Sequence, residues 1–255
     1  MSDIRLPRIL DESYRVAWGD LCYFKDNVIT ILVSCLVGPL LYLVAFGYGI
    51  GSGMEGGVDS YVRFIIPGII SMATLNATYS FVSSKVLIQK LFYTSFDELL
   101  LCPIRPSSVV LGKSLAGVLR GMCSCTIILA AGVLISPGIK VTVFLFVLAL
   151  IASLTFSLLG ILAGLLAKKH NTLTVFSSMV IVPMTFFSGT IFDISDIPIA
   201  AVRYGIYALP LSHQTESVRA VMLGLPMPWL SVIVMCIYCA VFFVLNYHLI
   251  KRRSF

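Results

Sequence analysis

The sequence predicts an all-α polytopic membrane protein with six transmembrane helices, and three observations lead there. Hydrophobic residues make up 58% of the 255-residue chain, charged residues 12%, and the mean hydropathy is +0.99. That is more apolar surface than one soluble core can hide. Six apolar segments, about 28–50, 61–83, 108–135, 141–167, 172–192 and 228–249, each reach the roughly 20 residues that cover a bilayer's hydrocarbon core. The third observation is where the basic residues fall on those spans.

Of the 18 Lys and Arg, 13 share one side: Arg5, Arg8, Arg15, Lys25, Lys85, Lys90, Arg105, Lys113, Lys168, Lys169, Lys251, Arg252 and Arg253. Arg63, Lys140, Arg203 and Arg219 fall opposite, and Arg120 lies inside the third span. The positive-inside rule then makes both termini cytoplasmic. The same loop bias explains the net charge of +6 without nucleic acid as a partner. Residues 1–26 contain no apolar h-region, so the first span is expected to direct insertion itself.

Within residues 1–26, Leu10, Tyr14, Ala17, Trp18, Leu21 and Phe24 recur at helical spacing after Pro7, with Asp11, Glu12, Arg15 and Asp26 largely on other faces. This predicts an amphipathic helix lying along the inner membrane surface, ahead of a six-span domain over 27–255. Between the second and third spans, a cytoplasmic segment over about 84–107 contains "SFDELLLCP". Ser95 and Glu98 have capping-box spacing, and Pro103 ends the helix near Cys102. The result is a short, rigid knob of Phe96, Asp97, Glu98, Leu99, Leu100 and Leu101, whose apolar members suit either a partner's groove or packing on the chain's own helix ends.

The following "GKS", Gly112 to Ser114, matches the tail of a phosphate-binding loop, but Ser107 stands where that loop needs its first glycine. The run reads instead as a small residue, a snorkelling cation and an early-turn hydroxyl. Seven residues further on, about 10 Å along the helix, Arg120 is a cation well inside a span. Gly117 and Gly121 flank it at the spacing that brings helices close. Two roles follow for Arg120: an interhelical lock or inner-surface snorkel, or a contact for an anionic or sugar head group. Before the sixth span, an outer hairpin over about 188–226 is too apolar for a free loop. Two short helices fit it, one capped by Asp196 and one by Ser212, with Glu216 and Arg219 able to pair one turn apart.

Enzyme signals are weak. Gly51, Gly53 and Gly56 spell G-x-G-x-x-G after a membrane span rather than in a βαβ unit. His170, His213 and His248 are scattered, and Cys236 and Cys239 lack a second Cys or His pair, so no catalytic set and no metal site are assigned. No cysteine falls in an outer segment, so no external disulfide framework is expected. All 12 acids lie outside the spans, where an ion-driven pump usually needs one inside. Energy is therefore expected from another subunit. The alternatives are an ion-coupled transporter binding sodium at broken helices, and a non-transport membrane scaffold.

The interfacial helix, the six spans, "SFDELLLCPIRPSSVVLGK" and "FFSGTIFDISDIP...YALPLSHQTESVRAVMLG" together resemble the membrane subunits of type-two ABC transporters over nearly the whole chain. The coupling passage is most similar to nodulation-factor exporter permeases, with daunorubicin and polysaccharide exporter permeases as relatives. The resemblance implies a separate ATPase subunit carrying ATP and Mg, docked on Phe96 to Cys102. It also implies two permease copies per transporter in the cell membrane, and export of a lipid-like, glycolipid or drug molecule. This chain would bind no cofactor of its own.

Overall fold

The structure, a computed structural model, describes residues 6–50, 57–93, 95–136, 140–192, 194 and 198–253. All regular structure among them is helical. Helix α1 (Leu6–Asp26) carries Pro7 in its first turn, where a missing N–H costs nothing. It leads through Asn27 into α2 (Val28–Tyr42), which continues as π-helical turns over Leu43–Ile50 beyond Pro39. Helix α3 (Gly57–Leu91) has 35 residues, about 52 Å at helical rise, longer than a roughly 30 Å hydrocarbon core. It therefore carries the chain past the bilayer to α4 (Ser95–Leu101).

Arg105 adopts the extended conformation that a following proline imposes, and α5 (Pro106–Ile135) starts from it. Helix α6 (Val143–Leu166) completes a central sheaf with α3 and α5. Among the described residues, five helical segments are long and apolar enough to cross a membrane: Val28–Phe46, Tyr61–Leu91, Pro106–Ile135, Val143–Leu166 and Trp229–Arg252. The expected fifth span, 172–192, takes a different form. Helix α7 (His170–Phe176), π-helical Ser177–Ile181 and α8 (Val182–Phe187) run end to end, and the helix stops before the irregular Ser188 to Phe192. Polar His170 and Asn171 dilute its apolar character, and Pro183 breaks the hydrogen-bond ladder.

Outside this sheaf come α9 (Ala200–Tyr207), α10 (Pro210–Leu223) and α11 (Trp229–Arg253). The hairpin helices start from different residues than the sequence suggested. Ile199 precedes α9, and Asp196 lies outside the described residues. Pro210 opens α10, because its fixed φ suits the first helical position, so Ser212 is not the cap. Its hydroxyl reaches back to Ile206 O at 2.7 Å and ties α10 to α9.

In their most apolar windows, 78% of α3 and 67% of α6 are buried, against 17% of α2 and of the α11 span. The first pair is therefore the core and the second the periphery. Small residues make that core possible, since close backbone approach is the main route to tight helix packing in lipid. A Cβ on Gly164 of α6 would lie 2.9 Å from Ser83 O of α3. At the α4 end of the bundle, Val82, Val86, Phe96, Val109, Leu158 and Ile250 share one cluster, so α4 and the last turns of α11 lie together. Helix α1 joins them there, through Glu12 at the start of α5.

Candidate functional site

Helix α4 is anchored from within. Phe96 is 1% exposed and sits in the core cluster formed by α3, α5, α6 and α11, with Leu99 packed beside it. These two residues of the predicted knob therefore hold the helix in place rather than present a surface. Leu101 is 86% exposed and Glu98 is also exposed, while the side chains of Asp97 and Leu100 lie outside the described ones. Phe92 and Tyr93, just before α4, are exposed as well, which extends the apolar ridge. Lys90 Nζ donates to Leu165 O at 2.9 Å and Ala167 O at 2.7 Å, fixing the base of this ridge to the end of α6.

The GKS run lies inside α5, where α1 crosses. A Cβ on Gly112 would come within 2.7 Å of Ser13 O, so only glycine permits the crossing. Lys113 does not snorkel: its Nζ is 3.3 Å from Asp20 Oδ2, drawn to a carboxylate that α1 buries against the bundle. Lys85 of α3 reaches Asp20 Oδ1 at 2.9 Å, and Gln89 Nε2 donates to the same oxygen at 3.4 Å. Ser114 O accepts from Ser157 Oγ at 3.0 Å.

Glu12 Oε2 accepts from Ser108 Oγ at 2.8 Å and from Arg105 N at 3.4 Å, placing a negative charge on the α5 N-terminus. Helix α1 thus meets the bundle through Ser13, Val16, Ala17 and Asp20, while Leu10, Tyr14 and Trp18 of its apolar stripe face outward. Such a stripe suits a membrane surface.

Arg120 opens onto a cleft of about 300 Å³ between α2, α3 and α5. Its Nη2 donates to Ser34 Oγ at 3.2 Å, and its guanidinium carbon lies 4.9 Å from the Phe81 ring centre. Gly117 and Gly121 are buried. A Cβ would collide with Ser157 Oγ in the first and lie 2.5 Å from Ser153 Oγ in the second.

A second cavity, of about 330 Å³, lies beside α10 and is lined in part by Glu216 and Arg219. Glu216 accepts from Ser231 Oγ at 2.7 Å. Arg219 donates to Gly189 O at 2.8 Å and stacks 3.8 Å over Phe64. Each of the two thus has a partner on another segment, and their sequence proximity serves the cavity wall. His213 joins the same network, with Nδ1 3.2 Å from Ser231 Oγ and Nε2 2.8 Å from Tyr207 O.

Sequence reasoning missed Asp20, because the apolar stripe of α1 suggested that its acids point away from the bundle. It also missed Ser34, Asn76, Ser80 and Ser124 around Arg120. A signal existed for these: Asn76 and Ser80 on α3, and Arg120 and Ser124 on α5, each lie four apart and so share a helix face.

An all-α bundle in which five helices among the described residues are long and apolar enough to cross a membrane, with an outward-striped first helix and a short helix anchored at one end, is the architecture of a multi-pass membrane protein. The family model of ABC-2 type transporters matches residues 14–223, and the chain belongs to that family. Nodulation protein J of Rhizobium leguminosarum bv. viciae is 26% identical over 235 residues, covering 90% of each chain. Its counterpart from Rhizobium meliloti (strain 1021) is 27% identical over 242 residues, covering 90% of this chain and 89% of the relative. Inner membrane transport permease YadH of Escherichia coli (strain K12) is 28% identical over 233 residues, covering 87% of this chain and 89% of that one.

Proposed function

We propose that the chain is the membrane-spanning subunit of an ATP-driven exporter that moves a lipid-like, glycolipid or hydrophobic drug substrate out of the cytoplasm or inner leaflet. The observation that carries this reading is the division of labour in α4. Phe96 and Leu99 are set in the chain's own core, whereas Leu101, Glu98 and the preceding Phe92 and Tyr93 face outward. A force applied to the outer ridge passes through Phe96 directly into α3, α5, α6 and α11.

The partner is an ABC ATPase subunit that holds ATP and Mg, and two permease copies make up the transporter. The basic majority of the loops then faces the cytoplasm together with both termini. The binding and hydrolysis of ATP in the partner alternate the access of the dimer. ABC-2 membership and the similarity to a named transport permease support transport as the role. The ridge supports a docked partner subunit as the driver.

The test is co-purification of this chain with a co-expressed ABC ATPase subunit from the same genome. Leu101→Asp is expected to insert normally, to lose the ATPase from the complex and to abolish stimulated hydrolysis. Retained binding and stimulation in that variant would overturn the docking assignment.

A further inference from the structure

We propose that the cleft between α2, α3 and α5 is a binding site for an anionic amphiphile, with the acidic head held at Arg120 and the chain directed along α2 toward Tyr42. This deepens the export reading and rests on it for the identity of the cargo. Four observations converge on the site.

The first is unmet polarity. Arg120 Nε and Ser124 Oγ are buried without a hydrogen-bond partner among the described residues. A buried polar group left unpaired costs roughly 1–3 kcal/mol, more when charged, so each calls for a partner, and both of these residues line the same cleft. The second is the sign of the charge. Arg120 brings the positive charge, Ser34, Asn76, Ser80 and Ser124 bring neutral polar groups, and no carboxylate is among the described residues lining the cleft. A guanidinium with free donors and hydroxyl neighbours suits a phosphate, sulfate or carboxylate.

The third is direction. Ser34 precedes Tyr42 by eight residues on α2, about 12 Å at helical rise. On antiparallel α3, Ser80 lies toward α4 and Met72 away from it. Both helices thus put the polar end of the cleft nearer α4 and its apolar end, with Pro39, Tyr42 and Met72, deeper in the bundle. With α4 cytoplasmic, this matches an inner-leaflet amphiphile, whose head lies at that side and whose tail points to the midplane. The fourth is access and size. Helix α2 is peripheral, with Leu32, Val33, Val37 and Leu41 exposed, so the wall of the cleft adjoins lipid. The volume falls within the range of about 300–1,000 Å³ usual for small-molecule sites.

The test uses the purified full chain in nanodiscs of zwitterionic phosphatidylcholine and radiolabelled dodecyl phosphate as the probe. Binding is expected to saturate and to be competed by unlabelled dodecyl phosphate, but not by inorganic phosphate or by dodecyl maltoside. Arg120→Leu should weaken it by about tenfold or more, and Arg120→Lys by less. Asn76→Leu, at an exposed position on the cleft wall, should weaken it about threefold and serves as a second variant that spares the fold.

Wild-type affinity in both the Arg120→Leu and Asn76→Leu variants would overturn the site. Equal competition by dodecyl maltoside would remove the anionic specificity, and equal competition by inorganic phosphate would remove the amphiphile. Because the assay contains no ATPase, it separates the two readings. Intact binding with failed ATPase docking sinks the exporter and keeps the site, and the reverse pattern sinks only the site.

Discussion

Two cationic clusters lie on neighbouring stretches of α3 and α5, and they are built in opposite ways. Around Asp20, Lys85 and Lys113 each close on one carboxylate from α1, and three helices are held together. About two turns away, Arg120 has a hydroxyl and a ring for company, and its Nε stays unpaired beside an open cleft. Charges paired within the chain tie helices together, while a charge left underpaired in a cleft is available to something from outside. Removing one member should therefore unfold the first cluster and disarm the second.

The largest effect is expected from Asp20→Leu, which leaves two lysines facing each other in a buried site. Loss of one partner of a buried ion pair costs about 3–5 kcal/mol. Thermal unfolding should shift down, and α1 should become cleavable by added protease. Adding Lys85→Met and Lys113→Met should restore most of the loss, and failure to do so would show that α1 is held by something else.

A similar contrast divides α4. Phe96→Ala should cost about 3–5 kcal/mol because a fully enclosed ring leaves a cavity, whereas Leu101→Asp should move the unfolding midpoint by no more than about 0.5 kcal/mol equivalent. Equal destabilisation by the two would contradict the inward and outward division. Among the glycines, Gly117→Ala should cost about 1–3 kcal/mol by overpacking against Ser157 and Val82. Gly38→Ala, whose added Cβ meets nothing within 4 Å, should be neutral in the same unfolding measurement. Arg120→Leu should cost only about 1 kcal/mol or less, since the side chain gives up one bond to Ser34. A large loss of stability there would move Arg120 from the open class to the locking class.

Much of the fold was legible because membrane spans announce themselves by length and hydropathy. Helix α4 ends at Leu101 as Pro103 dictates, and α5 and α6 begin and end within two residues of their expected bounds. Periodicity was less informative about direction. The apolar stripe of α1 was visible, but an interfacial helix faces lipid on one side and protein on the other, so polarity alone did not reveal that Ser13 and Asp20 make the protein contact. The apolar residues of α4 had the same ambiguity, and burial of Phe96 depends on α6 and α11, far away in sequence. The hairpin start at Pro210 lost to Ser212 in sequence reasoning because a side-chain cap and a first-turn proline are competing start signals two residues apart. Polar residues within spans were the least used signal, and those around Arg120 formed the cleft.

The most direct test of ATP-driven export is a flux measurement in proteoliposomes holding this chain and its ABC ATPase, with a fluorescent anionic amphiphile followed by quencher access. Movement from the ATPase-facing leaflet to the other is expected only with ATP and Mg, to fail with a hydrolysis-deficient ATPase and to fail with Leu101→Asp. Movement at the same rate without ATP, or undiminished movement in the Leu101→Asp variant, would contradict an exporter driven through α4.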